Sequence, residues 1–361
     1  MPTQRPVFSL VPAPGFPGQA NNPVGFAAAP GFNTLTAWPG GTGAQSVNAG
    51  TNAQSGSGTT IDPWVFNFYD FNALTFGTDI ALNNCKFIGC RFQSNHIGDT
   101  SVKIIGANNV TFSYCSFTPL ASLYTSPPGL IWPSASAGQN TITQVTDVNC
   151  INGNSGYQHG AQVFNSTDGP VTWDHCDFWG FGNDAITFAT GGAPQMMVKD
   201  CWIHDACNTS PQTYHTDGLG YLDAGAAPAN ITIDHCTVAS LGATNGIAFQ
   251  TTTTSYANII VKNCFFSGFD ITVDMCHDIA GSTGLVFTDN IFGTDISWKR
   301  TPDGSVNSLW ASPTNVWRRN KLRVLAGTND SAGSGEFLWT AVDDGKYLLP
   351  DDTLSTTDYT G

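Results

Sequence analysis

The chain has 361 residues, 27 acidic side chains against 13 lysines and arginines, and a formal net charge of -14. Gly 39 and Pro 20, with 11% charged residues and Glu336 as the sole glutamate, exclude a helical protein and point to short strands joined by turns. The charge argues against duplex nucleic acid as a partner, and no apolar run reaches the roughly 18 residues needed to span a bilayer.

Residues 1–60 are rich in Pro, Gly, Ala and Thr, carry no repeat, and have no compact apolar stretch behind a basic start. They are expected to form an extended arm that attaches to another protein or covers the first coil of the repeating body.

Residues 61–322 repeat. In "NNCKFIGCRF" the spacing of Cys85 and Cys90 suggests an early, tighter coil. Beyond it, "VTFSYCSF" ends at Phe117, "VTWDHCDF" at Phe178, "ITIDHCTV" at Val238, "IIVKNCFF" at Phe266 and "LVFTDNIF" at Phe292. Each reads apolar, x, apolar, x, x, Cys or Asn, x, apolar. Counting Cys115, Cys150, Cys176, Cys201, Cys236, Cys264, Asn290 and Asn320 as equivalent gives intervals of 35, 26, 25, 35, 28, 26 and 30. Such a period, with one alternating unit per copy, predicts stacked coils whose apolar faces bury one another.

The cysteines suit a reduced, buried column, since Cys behaves as a small hydrophobe. Disulfides and a metal site compete with that reading, although paired Cys-x-x-Cys spacings are missing. His175 and His235, each just before a column Cys, read as turn residues. The stretch "PLASLYTSPPGLIWPSASAG", residues 119–138, reads as an insertion.

A second alternation comes after each Cys strand: "HGAQVF", "DAITF", "DGLGYL", "NGIAFQ" and "DITVDM". Its leading residues His159, Asp184, Asp217, Asn245 and Asp270 are spaced 25, 33, 28 and 25 apart and are expected to stack as a polar column. The coil before Asp217 carries an excess, "HDACNTSPQTYH", that projects beside the column.

Asp184 and Asp217 on adjacent coils would serve as an acid and base for glycoside hydrolysis, with His215 or His159 tuning either one. Asn183, Trp179, Trp202, Tyr214, Asn245 and Asp270 are candidate substrate contacts, because flat rings pack on sugar faces. Phe181 and Tyr221 lie nearby in the chain. No cofactor is expected, though aspartate ligands leave calcium open, and His204 with Asp205 is a weaker metal alternative. The competing reading is that the polar column only satisfies backbone groups at strand corners.

A period near 25 with Cys or Asn at the corner resembles the right-handed parallel β-helix of the pectate lyase-like superfamily, over roughly residues 66–322. That resemblance implies an all-β solenoid. "HTDG" (His215 to Gly218) and "GND" (Asn183, Asp184) loosely resemble the Asp-bearing coils of polygalacturonases and tailspike depolymerases. The paired Asp-Asp, Gly-His-Gly and Arg-x-Lys segments of polygalacturonases are missing from the repeats that carry the polar column, residues 159–275. Lys199 is the only Lys or Arg between Ile104 and Val261, which disfavours a lyase.

A non-repeating arm before such a body resembles phage tailspikes and minor tail proteins. This implies a polysaccharide partner, a homotrimer, contacts to other tail proteins through the arm, and a virion or extracellular location. The alternatives are a non-enzymatic structural or receptor-binding virion protein and a secreted bacterial glycoside hydrolase or polysaccharide lyase. Residues 323–361 are expected to cap the far end or join a subunit contact.

Overall fold

The repeat begins with a backbone corner. Immediately before each column position the chain turns left-handed, at Tyr114 (φ 53°), His175 (57°), Asp200 (51°), His235 (52°), Asn263 (56°) and Asp289 (60°). Val110 and Phe112 before one such corner, and Cys115 and Phe117 after it, are all buried. The sequence pattern therefore encodes two alternating strands joined by a bend, both pointing apolar side chains at the same core. The turn role expected of His175 and His235 is what these dihedrals show.

A second left-handed row, Asn84, Asn109, Asn230 and Asn258, lies at the start of the preceding strands. Asparagine tolerates this conformation better than other L-residues. It also bonds its neighbours, with Asn109 Nδ2 donating to Asn84 Oδ1 at 3.0 Å and Asn258 Nδ2 to Asn230 Oδ1 at 3.1 Å.

The computed structural model describes residues 23–40, 50–72, 76–80, 83–94, 102–105, 108–119, 131–134, 143–146, 149–151, 161–164, 171–181, 184–189, 196–204, 217–221, 229–249, 255–275, 281–292, 298–299, 314–318 and 321–322. They form an all-β structure with one 3-10 turn, Phe26–Ala28. One sheet has 10 strands, from Trp64–Asn67 to Val316–Arg318, each pairing in parallel with its counterpart in the next repeat. The other has 18 strands, also parallel, in two pairing series. One series runs through Arg91–Ser94, Asp177–Trp179 and Trp202–His204, and the other through Ile186–Ala189 and Asp217–Tyr221. Thr237–Phe249 and Phe265–Met275 each run through both.

Phenylalanine fills the early repeats in two stacked columns. Phe66, Phe87 and Phe112 stack at 5.1 Å per step, and Phe71, Phe92 and Phe117 at 4.7 and 4.9 Å. The columns meet edge to face, as at Phe87 and Phe92 with centroids 5.6 Å apart. Each such aromatic pair adds about 0.5–1.5 kcal/mol beyond the burial of its area.

Cys115, Cys176, Cys201, Cys236 and Cys264 are buried free thiols, as are Cys85 and Cys90. Their position also demands an acceptor. Cys201 Sγ receives the Cys176 N–H at 3.4 Å and Cys264 Sγ that of Cys236 at 3.4 Å, while Asn290 Oδ1 receives that of Cys264 at 3.0 Å. This explains why Asn replaces Cys in the last described member of the column. Burial pushes the Cys85 thiol up to about 12 and raises Cys115 and Cys201.

Three expectations change. Cys85 pairs with Val110 within an ordinary strand and Cys90 precedes a strand that pairs like its neighbours, so they belong to a standard repeat and not to a tighter coil. Cys150 pairs with Phe117 and Phe178, two positions past the column, because the repeat there is out of step with its cysteine. Within 119–138, Ile131–Ser134 is a strand paired with Val102–Ile105.

Of residues 1–60, those described pack on the first repeat. Thr36–Ala37 pairs with the strand Tyr69–Asn72, and Trp38 packs its indole against Phe66, Tyr69 and Phe71. Gln54 exchanges two 2.9 Å hydrogen bonds with the Asn67 backbone. Among the described residues, no helix is long and apolar enough to cross a membrane.

Thiol titration with an aromatic disulfide reagent should label at most three of the ten cysteines in the native protein and at least seven more on unfolding, because seven are buried as free thiols. Phe92→Ala should cost about 3–5 kcal/mol in denaturant unfolding. Met197→Ala, at an exposed strand position, should cost under about 0.5 kcal/mol.

Candidate functional site

The pairing series through Ile186–Ala189 carries the expected polar column. Its core rungs are Ile186, Leu219 and Ile247, paired in that order, and Ile247 pairs in turn with Val273. Asp217 pairs with Asn245, and the Ala185 N–H donates to the Asp217 carbonyl at 2.9 Å, so Asp184 and Asp217 sit in adjacent repeats. This much agrees with the sequence spacing.

The two carboxylates nevertheless do not share an accessible wall. Asp217 is 4% exposed, and its Oδ1 accepts both the Asn245 backbone N–H (3.0 Å) and Asn245 Nδ2 (2.8 Å). Strand alternation from the core residues Leu219 and Ile247 puts Asp217 and Asn245 on the inner side of the sheet. Asp184, 5% exposed, lies over the Cα of Gly220, where a Cβ would come within 2.6 Å of its Oδ2. Both carboxylates are buried, one against the Gly220 backbone and the other committed to Asn245, whereas an acid and base astride one glycosidic bond must face the substrate.

Asp270 leaves the column altogether. Asn245 pairs with Ile271, one place beyond Asp270, after an irregularity in which the five residues Ala239 to Ala243 lie beside the three residues Ser267 to Phe269. This irregularity slips the register by two residues, an even number that keeps paired positions on the same face of the sheet. Phe181 is a fully buried core residue. His159, Asn183, Asp205, Tyr214 and His215 lie outside the described residues, as does the side chain of Tyr221.

A different constellation emerges on the series through Asp177–Trp179. Asp177 pairs with Trp202, and Trp179 with His204, giving four neighbouring positions on two adjacent strands. Phe178 and Ile203 between them are core residues, so all four side chains face outward. His204 Nε2 meets Asp177 Oδ1 at 2.8 Å across the diagonal. The Trp202 and His204 rings stack with centroids 3.6 Å apart and planes 17° from parallel.

Trp179 and Trp202 are partly exposed, and the His204 side chain keeps 12% of its surface accessible. Sequence spacing marks Trp179 and Trp202 as glycan contacts, and His204 as a metal ligand with Asp205. The structure gives His204 to Asp177 instead, and no group of three metal-ligating side chains occurs among the described residues. Asp177 escapes the sequence reading, although it comes directly after its column Cys just as Trp202 comes after the next one, a parity the sequence does carry.

With this geometry in hand, comparison with known proteins returns no matching family model, curated protein or solved structure.

Gly220→Ala should destabilise the protein by about 1–3 kcal/mol through the collision with Asp184. Adding Asp184→Gly should recover most of that loss in a double-mutant cycle read by denaturant unfolding.

Proposed function

We propose that the parallel ladders wind as one right-handed β-helix and that the protein binds a polysaccharide on its lateral face, as a virion tail component or another extracellular protein. The observation that carries this reading is the outward patch of Trp179, Trp202, His204 and Asp177. Aromatic rings beside a hydrogen-bonded imidazole and carboxylate supply both surfaces a pyranose needs, a flat apolar face for its C–H groups and polar edges for its hydroxyls. An acidic chain of net charge -14 suits a surface exposed outside the cell better than one that handles nucleic acid.

Binding without cleavage is the reading favoured by the Asp217 cage, since a carboxylate committed to two donors of Asn245 holds neighbouring strands together. The homotrimer and the docking of the N-terminal arm on other tail proteins belong to the same proposal.

A carbohydrate array combined with sedimentation against intact cell-surface polysaccharide tests this. Wild-type protein should bind, Trp202→Ala should lose at least about tenfold in affinity, matching the roughly 1–3 kcal/mol of one buried aromatic face, and no new reducing ends should form. Release of reducing ends that disappears in Asp217→Asn would install the hydrolase in place of this reading.

A further inference from the structure

Among the described residues, nothing at this patch can balance an anionic sugar. Lys199, the only lysine or arginine between Ile104 and Val261, belongs to the other sheet, where it pairs with Asp200 at 3.0 Å and lies 3.9 Å from Asp174. Lys262, two strands further along that sheet, pairs with Asp234 at 3.1 Å. Among the described residues, the carboxylate at the patch is that of Asp177, in a chain of net charge -14. A uronate, sialate or phosphate-bearing glycan would meet repulsion here without a counter-ion.

The next repeat supplies a second clue. Thr237 continues the outward row of Asp177 and Trp202, and Ala239 continues that of Trp179 and His204. The rows thus step from two large rings down to two small, buried side chains. Thr237 is 2% exposed, and its Oγ1 has no hydrogen-bond partner among the described residues. An outward hydroxyl buried without a partner is costly unless a ligand hydroxyl or an ordered water completes it.

We propose that this patch is a subsite for an uncharged hexopyranose chain, with the Trp202 and His204 stack against the sugar ring and the Asp177, His204 and Thr237 polar groups reading its hydroxyls. The inference rests on the polysaccharide-binding reading and adds the substrate class. Asp177 is a positioning residue in it, holding the imidazole at a fixed angle to the indole through the 2.8 Å bond. Recognition would come from stacking and neutral hydrogen bonds, so it would be nearly indifferent to salt, unlike attraction between exposed charges.

Calorimetric titration of the full chain with dextran, mannan and galactan, and with polygalacturonate and hyaluronate, at 50 and 500 mM NaCl tests the assignment. The expected result is binding of at least one neutral polymer, with Kd changing less than twofold between the two salts. Trp202→Ala should weaken it at least tenfold and Thr237→Val several-fold, with unfolding midpoints within a few degrees of wild type. Binding of the acidic polymers alone would overturn the inference and leave the polysaccharide reading standing. Binding of none of the five would overturn both, and neutral binding that survives in Trp202→Ala would overturn this assignment of the subsite.

Discussion

Parallel registration between repeats is the constraint on which every other feature rests. Hydrogen bonds between strands fix which residue lies beside which, and a shift of one residue exchanges the core face for the solvent face. The corners make that registration repeatable. A left-handed residue, with a buried side chain after it that can accept the N–H of the neighbouring repeat, resets the register once per turn of the pattern. Cysteine and asparagine can each fill that position because either offers a small acceptor inside an apolar interior.

Much of this was legible in the residues. The alternation around the corner, the buried column from Cys115 to Cys264 and the rungs at Asp184, Asp217 and Asn245 can be read from spacing alone, since period-two burial leaves a periodic trace. Where repeats differ in length, spacing misleads. Cys150 resembles a column cysteine but lies beyond the corner, and Asp270 resembles a column acid but misses it by one place. Both positions match the others by spacing, and only the strand pairing shows the offset.

The site was harder to read for a different reason. Aligning repeats on their cores directs attention to Phe178, Ile203 and Val238, while the outward patch is carried by the residues on either side of them. Asp177 and His204 are 27 positions apart, and neither stands out alone. Conversely, the carboxylates that stand out in the sequence are buried. Asp217 serves Asn245, and Asp184 occupies room that Gly220 leaves by having no side chain. A polar ladder and a catalytic pair look alike in one dimension and differ in burial and in the partners each carboxylate holds.

The most direct check of this account is side-chain nitrogen NMR of the His204 imidazole, assigned with His204→Gln and repeated in Asp177→Asn. Registration of the two strands predicts a downfield, slowly exchanging ring N–H proton that is lost when Asp177 is replaced. A rapidly exchanging imidazole, indifferent to the residue at 177, would mean that the strands are not aligned as described, and the patch built on that alignment would not exist.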